Sequence, residues 1–143
     1  MIDRELVEKK MDMMEEGLAY LRQAKRIDLG RFLASFEKIQ ATKHTLQETM
    51  EASLDIANHL LAAKGLPRSE TYSGMFLALG EKGLLTRDLA DRLAEMAGFR
   101  NLLVHRYAEV DNRRVHQILQ ENLTGLEEFV KQVGQILAKK KGP

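Results

Sequence analysis

The stretch Ala97-Gly98-Phe99-Arg100-Asn101-Leu102-Leu103-Val104-His105-Arg106-Tyr107 holds the residue types in this chain best suited to chemistry. Arg100 and Asn101 interrupt a run that is otherwise apolar from Phe99 to Val104. A buried guanidinium is costly unless it is paired or meets a ligand. Arginine stays charged, histidine titrates near neutrality, and tyrosine offers a hydroxyl that can attack or be modified. In an ideal helix Asn101 and His105 share a face, with Arg100 at its edge and about 140° from His105. Arg100 and Tyr107 project within about 20° of each other but lie nearly two turns apart. The set therefore clusters at one helix end without forming a tight triad, and two copies across a twofold axis would gather two arginines and two histidines around one cleft. Such a cleft suits cleavage of RNA without a metal. His105 would take the proton of a ribose 2′-OH, Arg100 would stabilise charge on the attacked phosphate, and Asn101 would orient either. DNA lacks the 2′-OH and should be inert. The same residues are equally what a buried helix end with a satisfied arginine and a surface histidine would carry.

The elements that must position this stretch are helical. The chain has 143 residues, two prolines, no tryptophan and no cysteine. That length suits a single domain, 1–143, with a core able to fold unaided. Lacking cysteine, it can form neither disulfides nor thiolate metal sites, which permits a cytosolic setting. No apolar run approaches the roughly 20 residues of a spanning helix, and Met1-Ile2-Asp3-Arg4-Glu5 does not read as a signal peptide. A cytoplasmic protein without a membrane role is expected. Charged residues are 30% of the chain but the net charge is only +1, so bulk charge would not grip nucleic acid.

Periodicity predicts a first helix from Asp3 to about Ile27, with Ile2, Leu6, Met13, Gly17, Tyr20, Leu21 and Ala24 as its buried stripe. A break at Ile27-Asp28-Leu29-Gly30 precedes one long helix from about Arg31 to Lys64. Its inner face would carry Phe32, Phe36, Ile39, Leu46, Met50, Leu54, Ala57 and Leu61. At about 50 Å it should outreach a compact bundle or bend. Gly65 and Pro67 end it, and Ser69 can cap a short helix from Thr71 to about Gly80. Gly83 is the expected left-handed residue of the next turn. Thr86-Arg87-Asp88 starts a helix ending near Tyr107, and Asp111-Asn112 starts the last one. Lys139 to Pro143 reads as a frayed tail. The fold class is all-α: an antiparallel bundle of four to five helices.

Other polar groups have plainer readings. His44 with Glu48, and Asp55 with His59, are i,i+4 pairs without a third ligand, and no His-Glu-x-x-His occurs. Neither a metal site nor a cofactor is expected. His116 reads as solvated, the methionines as packing residues, and Arg113-Arg114 as a solvated helix start with an RNA phosphate contact as the alternative.

The string Arg100-Asn101-x-x-x-His105-x-Tyr107 resembles the motif of the HEPN superfamily, specifically the HepT-like toxins. The resemblance extends to Asp55-Ile56-Ala57-Asn58-His59-Leu60, Leu66-Pro67, the Tyr72, Phe76 and Leu79-Gly80 spacing, and Met96 to Asn101. It implies a HEPN-like homodimer whose two motifs meet as a composite ribonuclease site. Arg100 and His105 would be the catalytic pair and Asn101 a support, with Asp55 and Asn58 as further supporting residues near the site. It also implies a type VII toxin–antitoxin system, in which a partner antitoxin, an MNT-class nucleotidyltransferase, transfers AMP to Tyr107. The rival expectation is a non-catalytic helical partner of such a transferase, holding nucleotide or substrate.

Overall fold

The computed structural model describes residues 1–141, with Lys140 and Lys141 described by backbone alone. Among them are seven α-helices, one 3-10 turn and no strand: α1 (Arg4–Lys25), α2 (Leu29–Leu33), α3 (Phe36–Ala63), α4 (Tyr72–Glu81), α5 (Arg87–His105), the 3-10 turn (Tyr107–Glu109), α6 (Asn112–Glu121) and α7 (Leu123–Lys141). The all-α expectation holds. Asp3, Asp28, Ser35, Thr71, Thr86 and Asp111 each accept a backbone N–H from the first turn of the helix that follows, satisfying donors that have no intrahelical partner.

Cross-helix contacts fix the topology. Asp3 meets His59 and Lys10 meets Asp55, so α1 runs antiparallel to α3. Arg4 donates to the Leu137 carbonyl and Arg22 to Glu127, so α7 runs antiparallel to α1. Ser73 donates to the Ala94 carbonyl within the α4–α5 hairpin. Arg100 meets Glu51 and Tyr107 meets Lys43, so α5 descends α3. Phe76, Phe129, Met14, Leu18, Met50 and Leu60 fill the shared core, the first two edge to face at 5.9 Å between ring centroids.

Several expectations need correction. The long second helix is two. Ser35 leaves the helical region and caps α3 through Lys38 N–H at 3.2 Å. This turns Phe32 fully inward and leaves Phe36, expected inside, 74% exposed. The last helix is also two, divided at Asn122, whose N–H closes on the Ile118 carbonyl at 2.8 Å. The α1 stripe holds at Leu21 and Ala24 but is displaced by one position in its first half: Val7 and Met14 are buried while Leu6 and Met13 are exposed. Both members of each neighbouring pair are apolar, so periodicity could not choose between them. Thr71, not Ser69, caps α4; Ser69 accepts from the Thr71 N–H instead. α7 continues to Lys141, so Lys139 is helical rather than frayed; Gly142 and Pro143 lie outside the described residues. Gly83, expected to be left-handed, has φ 73°, and Gly65, the glycine that ends α3, has φ 67°.

Candidate functional site

α5 ends on the stretch of interest because its stripe of Leu89, Leu93, Met96, Phe99 and Leu103 is buried. That packing fixes the rotation of the helix and carries Arg100 inward with it. Arg100 is only 8% exposed. Its Nε donates to Glu51 Oε1 at 2.6 Å, its Nη2 also lies against that oxygen, and its Nη1 donates to Asn101 Oδ1 at 3.0 Å. The guanidinium carbon sits 4.6 Å from the centroid of the Tyr72 ring, a cation–π distance. So α3 supplies the counter-charge, α4 the aromatic face, and donors remain on both terminal nitrogens.

Asn101 and His105 are exposed and share a cleft of about 650 Å³ with Arg68, Thr71, Tyr72 and Met75. This is the i,i+4 pairing expected from sequence. Among the described residues no hydrogen bond or ion pair engages the His105 ring, so its nitrogens are available to the cleft. Arg100 lies behind the cleft wall and reaches it through Asn101 and Tyr72. After His105 the backbone leaves the helix: Arg106 takes φ −137° and ψ 42°, and a 3-10 turn follows. Tyr107 is thereby turned toward α3. Its hydroxyl donates to Gln40 Oε1, its carbonyl accepts from Lys43 Nζ at 2.9 Å, and that ammonium stands 3.9 Å from its ring centroid. Lys43 is buried, and desolvation holds its pKa below the ordinary 10.5.

Arg100, Asn101 and His105 are thus one cluster, and Tyr107 adjoins it on a second face. Asp55 and Asn58 are not brought to the cleft lining: Asp55 pairs with Lys10 of α1 at 2.9 Å, and Asn58 is exposed one turn further on. His59 accepts the Asp3 backbone N–H. His116, expected in solvent, is half-buried, with a ring nitrogen 2.8 Å from the Ile27 carbonyl and its ring against Phe32. Among the described residues no three His, Asp or Glu side chains converge on one point.

Sequence reasoning missed Glu51, Gln40 and Lys43. The buried Arg100 called for a carboxylate, but Glu48, Glu51 and Asp55 were all within reach of an antiparallel helix. Lys43 left a clearer trace: it falls between Ile39 and Leu46, where the stripe of α3 calls for an apolar residue.

The model of the ribonuclease HepT-like family matches residues 14–133. The "tRNA nuclease HepT" of Aphanizomenon flos-aquae is 30% identical over 136 residues, 95% of this chain and 92% of that protein. The "mRNA nuclease HepT" of Shewanella oneidensis is 34% identical over 105 residues, 72% of this chain and 77% of that one. Among solved structures, the tri-AMPylated Shewanella oneidensis HEPN toxin in complex with MNT antitoxin superimposes with a TM-score of 0.83 at 27% identity, covering 94% of this chain and 99% of that one. The chain belongs to the ribonuclease HepT-like family of HEPN toxins. Its enzyme class is accordingly endoribonuclease.

Proposed function

We propose that this protein is the toxin of a type VII toxin–antitoxin pair and cuts RNA without a metal, through Arg100 and His105. The observation that carries the reading is the exposed, unengaged His105 beside Asn101, on a cleft backed by the buried, oriented Arg100. His105 removes the 2′-OH proton, the 2′-oxygen attacks the adjacent phosphorus, and the bond from phosphorus to the 5′-oxygen breaks. The products are a 2′,3′-cyclic phosphate and a 5′-hydroxyl, the departing oxygen taking a proton from water or from a second imidazole. Arg100, fixed by Glu51, turns its remaining donors toward the phosphate oxygens as charge develops. A homodimer would bring a second cleft and a second imidazole beside the first. The exposed Tyr72 and Leu77 of α4 and Leu102 of α5 favour burial of this side of the molecule.

Control belongs to an MNT-class nucleotidyltransferase. The Tyr107 hydroxyl oxygen attacks the α-phosphorus of ATP, pyrophosphate leaves, and the phenol proton passes to solvent or to a base of the transferase. A bulky anion two residues from His105 would obstruct and repel RNA phosphates. The solved structure of a tri-AMPylated HEPN toxin in complex with MNT antitoxin supports both the partner and the modification.

The test is an RNA with one 2′-deoxy substitution at the mapped cut site. The all-ribose strand should be cut, and the substituted position should not. Cutting at the deoxy position would rule out 2′-OH attack. A folded, unmodified protein that binds the transferase and cuts no RNA would favour the non-catalytic helical partner instead.

A further inference from the structure

Among the described residues, the only buried charged side chains are Arg100 and Lys43. Arg100 has Glu51. Lys43 has no carboxylate: its partners are the Tyr107 carbonyl and the face of the Tyr107 ring, both neutral. A desolvated cation without a counter-ion is expensive to keep, and its lowered pKa reflects that cost. Only the phenol it covers receives a negative charge in the control step proposed above.

The hydroxyl's partner fits the same purpose. Gln40 lies one turn before Lys43 on α3, so both project toward Tyr107. Today the phenol donates its proton to Gln40 Oε1. Once the phenol oxygen is esterified that proton is gone, and the group beside Gln40 becomes an acceptor-rich phosphate. A carboxylate at position 40 would then repel the adduct. An amide turns over and presents its N–H pair instead. The ammonium of Lys43 has spare donors and stands over the ring, within reach of a phosphate attached at its edge.

We propose that Gln40 and Lys43 form a phosphodiester subsite, holding the Tyr107 hydroxyl before modification and the anionic phosphate of a 5′-nucleotide adduct afterwards. The inference rests on the reading of Tyr107 as the acceptor of AMP. The adduct is then not a loose appendage: it neutralises a buried cation and is tethered against α3, two residues on from His105 in the chain.

The experiment compares wild type, Lys43→Met and Lys43→Arg, each treated with an MNT-class nucleotidyltransferase and Mg-ATP, with peptide masses taken before and after. Thermal melting is measured on the unmodified and modified forms. Modified wild type and Lys43→Arg should melt at or above their unmodified forms, whereas Lys43→Met should lose several degrees on modification. Equal shifts in wild type and Lys43→Met would overturn the subsite while leaving Tyr107 as acceptor. No adduct on Tyr107 of a wild type shown by mass to start unmodified would overturn both. If Lys43→Met does not fold, wild type with 13C-labelled lysine decides: the Lys43 ammonium should titrate at higher pH after modification, and an unchanged titration would overturn the subsite.

Discussion

At the N-terminal end of α5 a cleft of about 700 Å³ is lined by Lys64, Thr86, Arg87, Lys131 and Gln132; at its C-terminal end one of about 650 Å³ is lined by Arg68, Tyr72, Asn101 and His105. The first is slightly larger and richer in cations. Its buried polar group is nonetheless consumed by the fold: Gln132 accepts the Thr86 N–H at 2.9 Å and donates to Thr86 Oγ1 at 3.2 Å and Glu128 at 3.1 Å. Behind the wall of the second, the buried polar group is an arginine held by one carboxylate and bonded to Asn101, and the unengaged imidazole of His105 lies one turn on from that asparagine. Volume and charge alone would favour the first cleft. What distinguishes them is whether the polar groups are committed to holding the chain or held ready for something else.

Substitutions sharpen that contrast. His105→Ala should lower RNA cleavage by about 10²–10⁴-fold, and, because the ring is exposed, change stability by no more than about 0.5 kcal/mol; chemical denaturation beside a cleavage assay checks both. Arg100→Ala should abolish cleavage as well, but also cost about 1–3 kcal/mol by leaving Glu51 without its partner. Arg100→Lys should not restore activity, since an ammonium cannot span Glu51 and Asn101 from one plane. At the other cleft the order reverses: Gln132→Ala should cost about 1 kcal/mol in urea unfolding with cleavage unchanged. A loss of cleavage there would erase the distinction between the two clefts.

The smallest effect is one of pH. Lys43 has a folded pKa below its unfolded value of 10.5, so between the two the unfolded chain binds the extra proton. Stability should therefore rise with pH through that window, and the penalty for burying the charge is fully present below it. Denaturation from neutral to alkaline pH should show this rise in wild type and a flatter profile in Lys43→Met.

The helical class, most helix starts and the Asn101–His105 pairing were legible because caps, glycine turns and i,i+4 spacing are local. The breaks at Ser35 and Asn122 were not, because an apolar stripe runs across each and only packing decides whether the chain bends. His116 was misplaced for a similar reason: its neighbours Ile27 and Phe32 come from far along the chain. Arg100 was legible as a buried cation needing a partner, but the choice of Glu51 over Glu48 or Asp55 depends on the register of α3 against α5. Asp55 spends its carboxylate on Lys10. Lys43 was missed although it falls in the α3 stripe, because its partner Tyr107 is brought to it only by the turn after α5.

Cleavage without a metal through His105 and Arg100 is the proposal on which the contrast between the clefts depends. Its most direct test is a cleavage assay in EDTA with wild type shown by mass to be unmodified at Tyr107, alongside Arg100→Ala and His105→Ala. Wild type alone should cut and leave a 2′,3′-cyclic phosphate. Undiminished cutting by His105→Ala, or activity that disappears from wild type with EDTA and returns with a divalent cation, would contradict it.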